Sequence, residues 1–320
     1  LSRRAFGALA LAAAGGALGA AWVRRAYKTD LEAAQARIAQ GSRIVQTRAG
    51  PIEVGTSDGE RPVLMIHGTG GGFDQGLHFA QRLTGAGWNV IAPSRFGYLR
   101  TPFPRDASSE AQADAFVALL DALRIERVPV IGGSAGALSA LHFALRHPAR
   151  CTTLVPIVPA SHVPGREATP AAVPWATAIT EALLQSDFLF WTGLKLAPRA
   201  LVAALLATDP AVVDRADSDE QARVYRILWN IFPVSGRARG ILNDARLSSH
   251  PAPLPLERIR VPTLSVSIQD DRFGTYAAAQ HIAATVPGAR LLAFPTGGHV
   301  WAGHDAEVFA QVDAFLRASY

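Results

Sequence analysis

Gly132-Gly133-Ser134-Ala135-Gly136 is the stretch whose reading decides the fold. It follows a short apolar run, Val128-Pro129-Val130-Ile131, and opens a helical pattern from Ala137 to His147. In a strand, G-x-S-x-G, helix context the Ser sits on a turn too tight for neighbouring side chains, hence glycine on both sides. The turn lifts the Ser oxygen above the sheet edge. It also aims the first N–H groups of the helix at whatever the Ser attacks. With 28 glycines in 320 residues, the pentapeptide alone also fits a plain glycine-rich turn. Three other segments, in order, separate the two readings.

Upstream, Val63-Leu64-Met65-Ile66 reads as a buried strand, and His67-Gly68-Thr69-Gly70-Gly71-Gly72 follows at its carboxyl end. Such a loop lets the backbone approach a ligand and point N–H groups at it. Acyl transfer builds negative charge on the former carbonyl oxygen, and each preorganised donor is worth roughly 3–4 kcal/mol there. The N–H groups of Thr69 and Ala135 are the candidate pair. The competing reading is a phosphate loop. No Lys-Ser/Thr follows these glycines, and no G-x-G-x-x-G precedes a suitably spaced acid. His67 lies before the loop and reads as a structural ring that holds the loop's shape.

Downstream, Val261 to Ile268 is β-rich, and Gln269-Asp270-Asp271-Arg272 ends it. A carboxylate at a strand's carboxyl end can reach a histidine across the top of a parallel sheet. Ala289 to Pro295 reads as another strand, followed by Thr296-Gly297-Gly298-His299. Ser needs a base to take its proton, and His titrates near neutrality. The carboxylate fixes the imidazole tautomer and stabilises the imidazolium. The candidates are thus Ser134 as nucleophile, His299 as base and Asp271 as orienting acid. Spacing does not separate Asp271 from Asp270; Asp271 is preferred. His304, at the start of the last helix, is the weaker base candidate.

Together these segments resemble the α/β-hydrolase superfamily, from about Arg48 to the C-terminus with a poorly matching middle. The chain order Ser, Asp, His is one of the known triad orders. The resemblance implies a mostly parallel eight-stranded sheet flanked by helices, with a helical lid insertion. It points to an esterase, lactonase, amidase, C–C bond hydrolase or acyltransferase. Ser at position 134 argues against dehalogenases and epoxide hydrolases, which carry an acidic nucleophile. One departure stands out. Many relatives carry an acid and a Gly-x-Gly after the fourth strand, where this chain has Ser94 and, at the second glycine, Leu99.

The coarse layout agrees. Ile44–Thr47 and Ile52–Thr56 read as a hairpin. Further strands are expected at 63–67, 89–92, 128–132, 153–158, 263–268 and 289–295. Helices between them imply parallel pairing and right-handed crossovers. The expected domains are an N-terminal segment over 1–43, a core over 44–162 and 256–320, and a helical lid over 163–255. The lid's Trp175, Trp191, Trp229 and Phe232 are candidate substrate contacts, because aromatics suit an apolar pocket. Packing inside the lid is the competing reading for them. Phe188 to Ala207 is apolar enough to mimic a membrane span, but Lys195, Pro198 and Arg199 point to two short helices.

The formal charge is +5. Residues 1–43 carry seven Lys/Arg against two acids and account for all of it. The rest of the chain balances, which argues against nucleic-acid binding. Phe6 to Val23 is uncharged, with Arg3 and Arg4 before it and Arg24 and Arg25 after it. Eighteen uncharged residues approach the ~20 that span a bilayer. Ser2-Arg3-Arg4-Ala5-Phe6 also resembles a twin-arginine export signal. A membrane anchor, a cleaved signal giving a periplasmic or secreted protein, and an Ala-rich helix on the body are the competing expectations. Thr29 to Ala39 reads as a connecting helix.

The single cysteine, Cys151, excludes an internal disulfide and reads as a buried small residue. No metal motif is present, and no cofactor is expected. The leading expectation is hydrolysis of a small apolar ester or lactone through an acyl-enzyme. Acyl transfer, C–C bond hydrolysis and a non-catalytic membrane-tethered binding role are the alternatives.

Overall fold

The structure is a computed structural model that describes residues 3–166 and 184–319, with side chains of the first helix described from residue 19 onward. That helix, α1, runs over Arg3–Gln40 and forms a unit of its own. The uncharged run and the connecting helix read from the sequence are thus one continuous helix. Most side chains of the 6–23 run lie outside the described residues. Among the described residues no single helix is long and apolar enough to cross a membrane.

The second unit, Gly41–Tyr320, is built on one eight-stranded sheet. The strands are β1 Arg43–Thr47, β2 Gly50–Thr56, β3 Arg61–Ile66, β4 Trp88–Pro93, β5 Val128–Gly133, β6 Cys151–Ile157, β7 Leu264–Ile268 and β8 Arg290–Phe294. Their order is β1-β2-β4-β3-β5-β6-β7-β8. The β1–β2 hairpin and the β2–β4 pairing are antiparallel; every pairing from β4 through β3 to β8 is parallel. Val63, Leu64, Met65 and Ile66 are fully buried, as strands covered by helices on both faces must be.

The connecting helices are α2 Phe73–Phe79, α3 Gln81–Gly85, α4 Ser109–Ala122, α5 Gly136–Arg146, α11 Thr275–Thr285 and α12 Asp305–Ala318. Helix α4 begins where the Ser108 hydroxyl accepts the Ala111 N–H, an N-cap that satisfies one orphan donor. It ends with the Ile125 N–H reaching back to the Leu120 carbonyl. Cys151 is buried at the start of β6, and burial pushes its thiol up to about 12.

From β3 the chain passes to β4 on one side, then returns across β3 to β5 on the other. The strand order therefore reverses between β3 and β5. In open α/β sheets the loops after two such strands diverge to opposite faces and leave a crevice between them. The loops that leave β3 and β5 are His67–Gly72 and the turn around Ser134.

Between β6 and β7 the alternation stops. The described part holds five helices: α6 Asp187–Leu196, α7 Pro198–Leu205, α8 Pro210–Arg215, α9 Ser218–Asn230 and α10 Ala238–Ser249. Helices α6 and α7 meet at 112°, so the apolar stretch over 188–207 is two short helices. Pro198 cannot continue α6 and starts α7 instead.

Candidate active site

Ser134 has φ +51, a left-handed conformation that non-glycine residues rarely adopt. The surrounding contacts enforce it. Its N–H donates to the Ile157 carbonyl at 2.9 Å, and the Ala137 N–H donates to its own carbonyl at 3.0 Å. A Cβ on Gly136 would lie 2.4 Å from the His67 carbonyl oxygen. Only glycine therefore lets the start of α5 pack against the end of β3.

His299 lies in the turn after β8, one residue beyond Gly298, whose φ is +62. Its Nε2 is 2.9 Å from Ser134 Oγ, and its Nδ1 is 2.8 Å from Asp271 Oδ2. Asp271 is buried and also accepts from the Thr275 hydroxyl and from the Phe273 N–H at 2.8 Å. Burial pushes its carboxyl up. The His299 charge and these hydrogen bonds outweigh burial and hold it below the usual carboxylate value. Ser134, His299 and Asp271 thus form one hydrogen-bonded series at the carboxyl ends of β5, β8 and β7. Asp270 does different work: its Oδ1 accepts the Gly298 N–H at 2.7 Å and pins the histidine turn. His304 stacks on Phe294 at 4.3 Å instead of meeting Ser134.

The glycine-rich loop passes close to the nucleophile. A Cβ on Gly68 would lie 3.0 Å from Ser134 Cβ. The Gly68 N–H donates to Gln75 Oε1, the Gly70 N–H to the Tyr98 hydroxyl and the Gly71 N–H to the Gly68 carbonyl. Among the described residues the Thr69 N–H has no such partner. Ala135 is the N-cap residue of α5, at the helix end where the first N–H groups have no partner within the helix. Thr69, Ala135 and Ser134 line the same cavity.

His67 is fully buried. The Arg95 N–H donates to its Nε2 at 2.9 Å, so its proton is on Nδ1, facing the Gly68 carbonyl at 2.7 Å. Burial first, then the Arg95 and Arg237 charges, hold it well below its ordinary value of 6.5. It is a neutral strut under the loop.

Five features of the site were not legible in the sequence. Ser94, at the position where the resemblance implies an acid, donates at 2.8 Å to Oε2 of Glu53, a fully buried acid of β2. Leu99 keeps the left-handed conformation of the missing glycine, φ +51, while its N–H donates to the Gly236 carbonyl at 2.7 Å. Val158, at φ +43, lines the cavity beside Ser134; a β-branched residue there is held by its N–H bond to the Val266 carbonyl at 2.7 Å. The fourth feature is a set of ion pairs and side-chain-to-backbone hydrogen bonds between the insertion and the core. Asp244 of α10 takes a two-pronged contact from Arg95, with Arg95 Nη1 at 2.7 Å from Oδ1. Arg237, just before α10, donates to Asp74 and to the Gly71 carbonyl. Arg223 of α9 donates to the Val300 carbonyl at 2.7 Å, and Glu220 accepts the Gly303 N–H at 2.9 Å. The insertion therefore grips both the glycine-rich loop after β3 and the histidine turn.

A cavity of about 430 Å³ lies over Ser134. From the insertion it is lined mainly by aliphatic side chains, among them Leu205, Leu206, Ile227 and Ile241. This corrects the sequence expectation. Trp191 stacks on Phe188 at 5.9 Å, Trp229 tilts against Phe232 at 6.1 Å, and Lys195 lies over both tryptophans. Those aromatics pack the insertion against itself and do not line the cavity. Trp175 lies outside the described residues. Phe273 is the fifth feature not legible in the sequence; it lines the cavity and sets its ring edge-on to His299 at 4.8 Å.

A family model described as alpha/beta hydrolase fold matches residues 61–301. The 2-hydroxy-6-oxononadienedioate/2-hydroxy-6-oxononatrienedioate hydrolase 2 of Pseudomonas putida is 28% identical over 279 residues, covering 82% of this chain and 91% of that one. The putative carbamate hydrolase RutD of Stutzerimonas stutzeri (strain A1501) is 29% identical over 233 residues, covering 70% of this chain and 80% of that one. Among solved structures, an alpha/beta hydrolase fold protein from Nakamurella multipartita superposes with a TM-score of 0.71 at 27% identity, covering 87% of this chain and 100% of that one. With the family model spanning strands β3 to β8, the serine turn and the histidine turn, the chain is a hydrolase of the alpha/beta hydrolase fold family.

Proposed function

We propose that the protein is a serine hydrolase that cleaves a carboxylic ester or lactone with an apolar acyl part. The observation that carries this reading is the unbroken series from Ser134 Oγ through His299 to Asp271, opening into a cavity whose insertion side is mainly aliphatic. Ser134 attacks the carbonyl carbon while His299 Nε2 takes its proton. Asp271 holds the imidazole with Nδ1 protonated and stabilises the imidazolium. The N–H groups of Thr69 and Ala135 face the developing oxyanion. His299 then returns the proton to the leaving oxygen. Water repeats the sequence on the acyl-enzyme and frees Ser134.

A second reading, C–C bond hydrolysis of a keto-dienoate, draws support from the Pseudomonas putida relative. That enzyme's named substrates are dicarboxylates, and a buried dicarboxylate needs buried cations. Among the described residues lining this cavity the only Lys or Arg is Arg166, which is exposed and donates to the Gly274 carbonyl at 2.6 Å. That favours a neutral acyl group. Acyl transfer uses the same acyl-enzyme and differs only in the acceptor.

The test is a fluorophosphonate probe on wild type and Ser134→Ala, then p-nitrophenyl esters beside a synthetic 2-hydroxy-6-oxo-dienoate. Labelling of Ser134 with ester turnover supports the first reading. Turnover of the dienoate alone supports the second. Esterase activity retained by Ser134→Ala would overturn both.

We further propose that the uncharged run over 6–23, with arginines at both ends, tethers the protein to a membrane. Fractionation of full-length and residue 41–320 forms tests this. Both forms in the soluble fraction would refute it.

A further inference from the structure

We propose that Asp244 is a positioning residue for the oxyanion loop, acting from the helical insertion through Thr69 and Tyr98. The proposal rests on the reading of the Thr69 N–H as an oxyanion donor. Residues 68–72 are glycine except for Thr69, so the loop has little intrinsic preference for one conformation. Its shape has to come from outside. The Thr69 hydroxyl, on the loop's one Cβ, donates to Asp244 Oδ2 at 3.1 Å. The next N–H, of Gly70, donates to the Tyr98 hydroxyl at 3.3 Å, and that hydroxyl donates to the same Asp244 oxygen at 2.5 Å. On the other side the Gly68 N–H is held by Gln75 Oε1 at 3.0 Å. Thr69 is thus fixed before it, at its side chain and after it. Of the two loop residues that line the cavity, Gly68 and Thr69, only Thr69 has an N–H without a partner among the described residues.

Asp244 is itself immobilised. It is 2% exposed, and the Arg95 guanidinium clamps both of its oxygens. The backbone N–H of Arg95 holds His67, the residue that precedes the loop. A closed ring therefore runs from His67 through Arg95 and Asp244 to Thr69, and returns along two residues of backbone. Tyr98 is fully buried inside it. Burial and the Asp244 charge, against the opposing Arg95 charge, raise its hydroxyl well above the ordinary value, so it stays a donor. A staple that merely joined the insertion to the core would need only the Arg95–Asp244 pair. The further bonds to Asp244 Oδ2, from Tyr98 and from the one non-glycine of the loop, point to positioning.

The experiment uses the full chain with p-nitrophenyl butyrate and a fluorophosphonate probe. The variants are Thr69→Val, Thr69→Ser, Tyr98→Phe, Asp244→Asn and the Thr69→Val/Asp244→Asn double. Loss of loop alignment is expected to lower kcat about tenfold to a hundredfold, with KM within about twofold, in Thr69→Val and Asp244→Asn. Thr69→Ser, which keeps the hydroxyl, is expected to restore kcat. The double variant is expected to be no slower than the slower single one, because both act through one bond. The rate of phosphonylation should fall in parallel. Where Asp244→Asn does not fold, Tyr98→Phe takes its place in the same cycle. Additive losses would mean that Thr69 acts on substrate directly and would overturn the proposal. A lower melting temperature with unchanged kcat would overturn it too. Wild type folded but unlabelled at Ser134 would overturn both this proposal and the serine-hydrolase reading. A labelled wild type with unaffected variants would overturn this proposal alone.

Discussion

Asp271 bonds His299 Nδ1 at 2.8 Å, while its chain neighbour Asp270 bonds the backbone N–H of Gly298 at 2.7 Å. Two adjacent carboxylates thus hold the same turn, one by its ring and one by its main chain. Their substitutions should part company. Asp271→Asn presents the wrong tautomer to His299 and should lower kcat by about 10⁴-fold. Asp270→Asn keeps a carbonyl acceptor for Gly298 and should cost under about tenfold. Steady-state kinetics on one ester decides it; equal losses would contradict the assignment.

His67 is buried neutral, with its folded-state affinity for a proton far below that of the unfolded chain. Below the ordinary value of 6.5 the unfolded state binds the proton and the folded state does not. Stability therefore falls as pH falls through that window, by up to about 1.4 kcal/mol per pH unit. Asp271, whose value is depressed, loses its contribution only at more acid pH. Thermal unfolding from pH 7.5 to 5 should show a steeper decline in wild type than in His67→Gln. Parallel curves would exclude His67 as the source.

Arg237 is fully buried against Asp74, with Nη2 2.8 Å from Oδ2, and it also donates to the Gly71 carbonyl. Arg237→Ala leaves the Asp74 carboxylate buried without its guanidinium. The expected loss is about 3–5 kcal/mol in urea unfolding. A loss below about 1 kcal/mol would mean that the pair is solvated in solution.

Arg124, the residue after the C-cap Leu123 of α4, has φ +59, and its N–H and that of Ile125 reach back to the Asp121 and Leu120 carbonyls. This is the position where helices favour glycine. The left-handed conformation costs an L-residue about 1–2 kcal/mol, partly offset by the unfolded-state freedom of glycine. Arg124→Gly should therefore stabilise by about 0.5–1 kcal/mol. A lower melting temperature would show that the exposed arginine carries a contact worth more than the strain.

The sheet and the site loops were legible because each segment carries its own signal. Apolar runs of four to eight residues mark buried strands, and G-x-S-x-G or Gly-Gly-His marks the functional turn at a strand's carboxyl end. The expected strand over 63–67 is Arg61–Ile66, and that over 128–132 is Val128–Gly133. The features hidden from sequence reading lie in pairs far apart along the chain. Arg95 and Asp244 are separated by 149 positions, and nothing local in either announces the other. Leu99 reads locally as damage to a glycine loop. Its conformation is kept by a bond to Gly236 in the insertion, which no local reading supplies. Composition alone assigns the insertion's aromatics to substrate. Helical periodicity shows that a face is apolar, but not whether it meets another helix or an empty space.

The insertion leaves the sheet after β6 and returns at β7, and these two strands are neighbours, with Ile157 opposite Val266. Its two ends therefore sit side by side, the geometry of an exchangeable cassette. Grafting such cassettes between relatives is a natural route to new substrate ranges. In this protein the cassette is also wired to the chassis. A transplanted segment lacking partners for Arg95, Asp74 and the Val300 carbonyl would leave buried charges and loose loops behind it. Compatibility of a graft is thus set by those few junction residues, before any residue that meets the substrate.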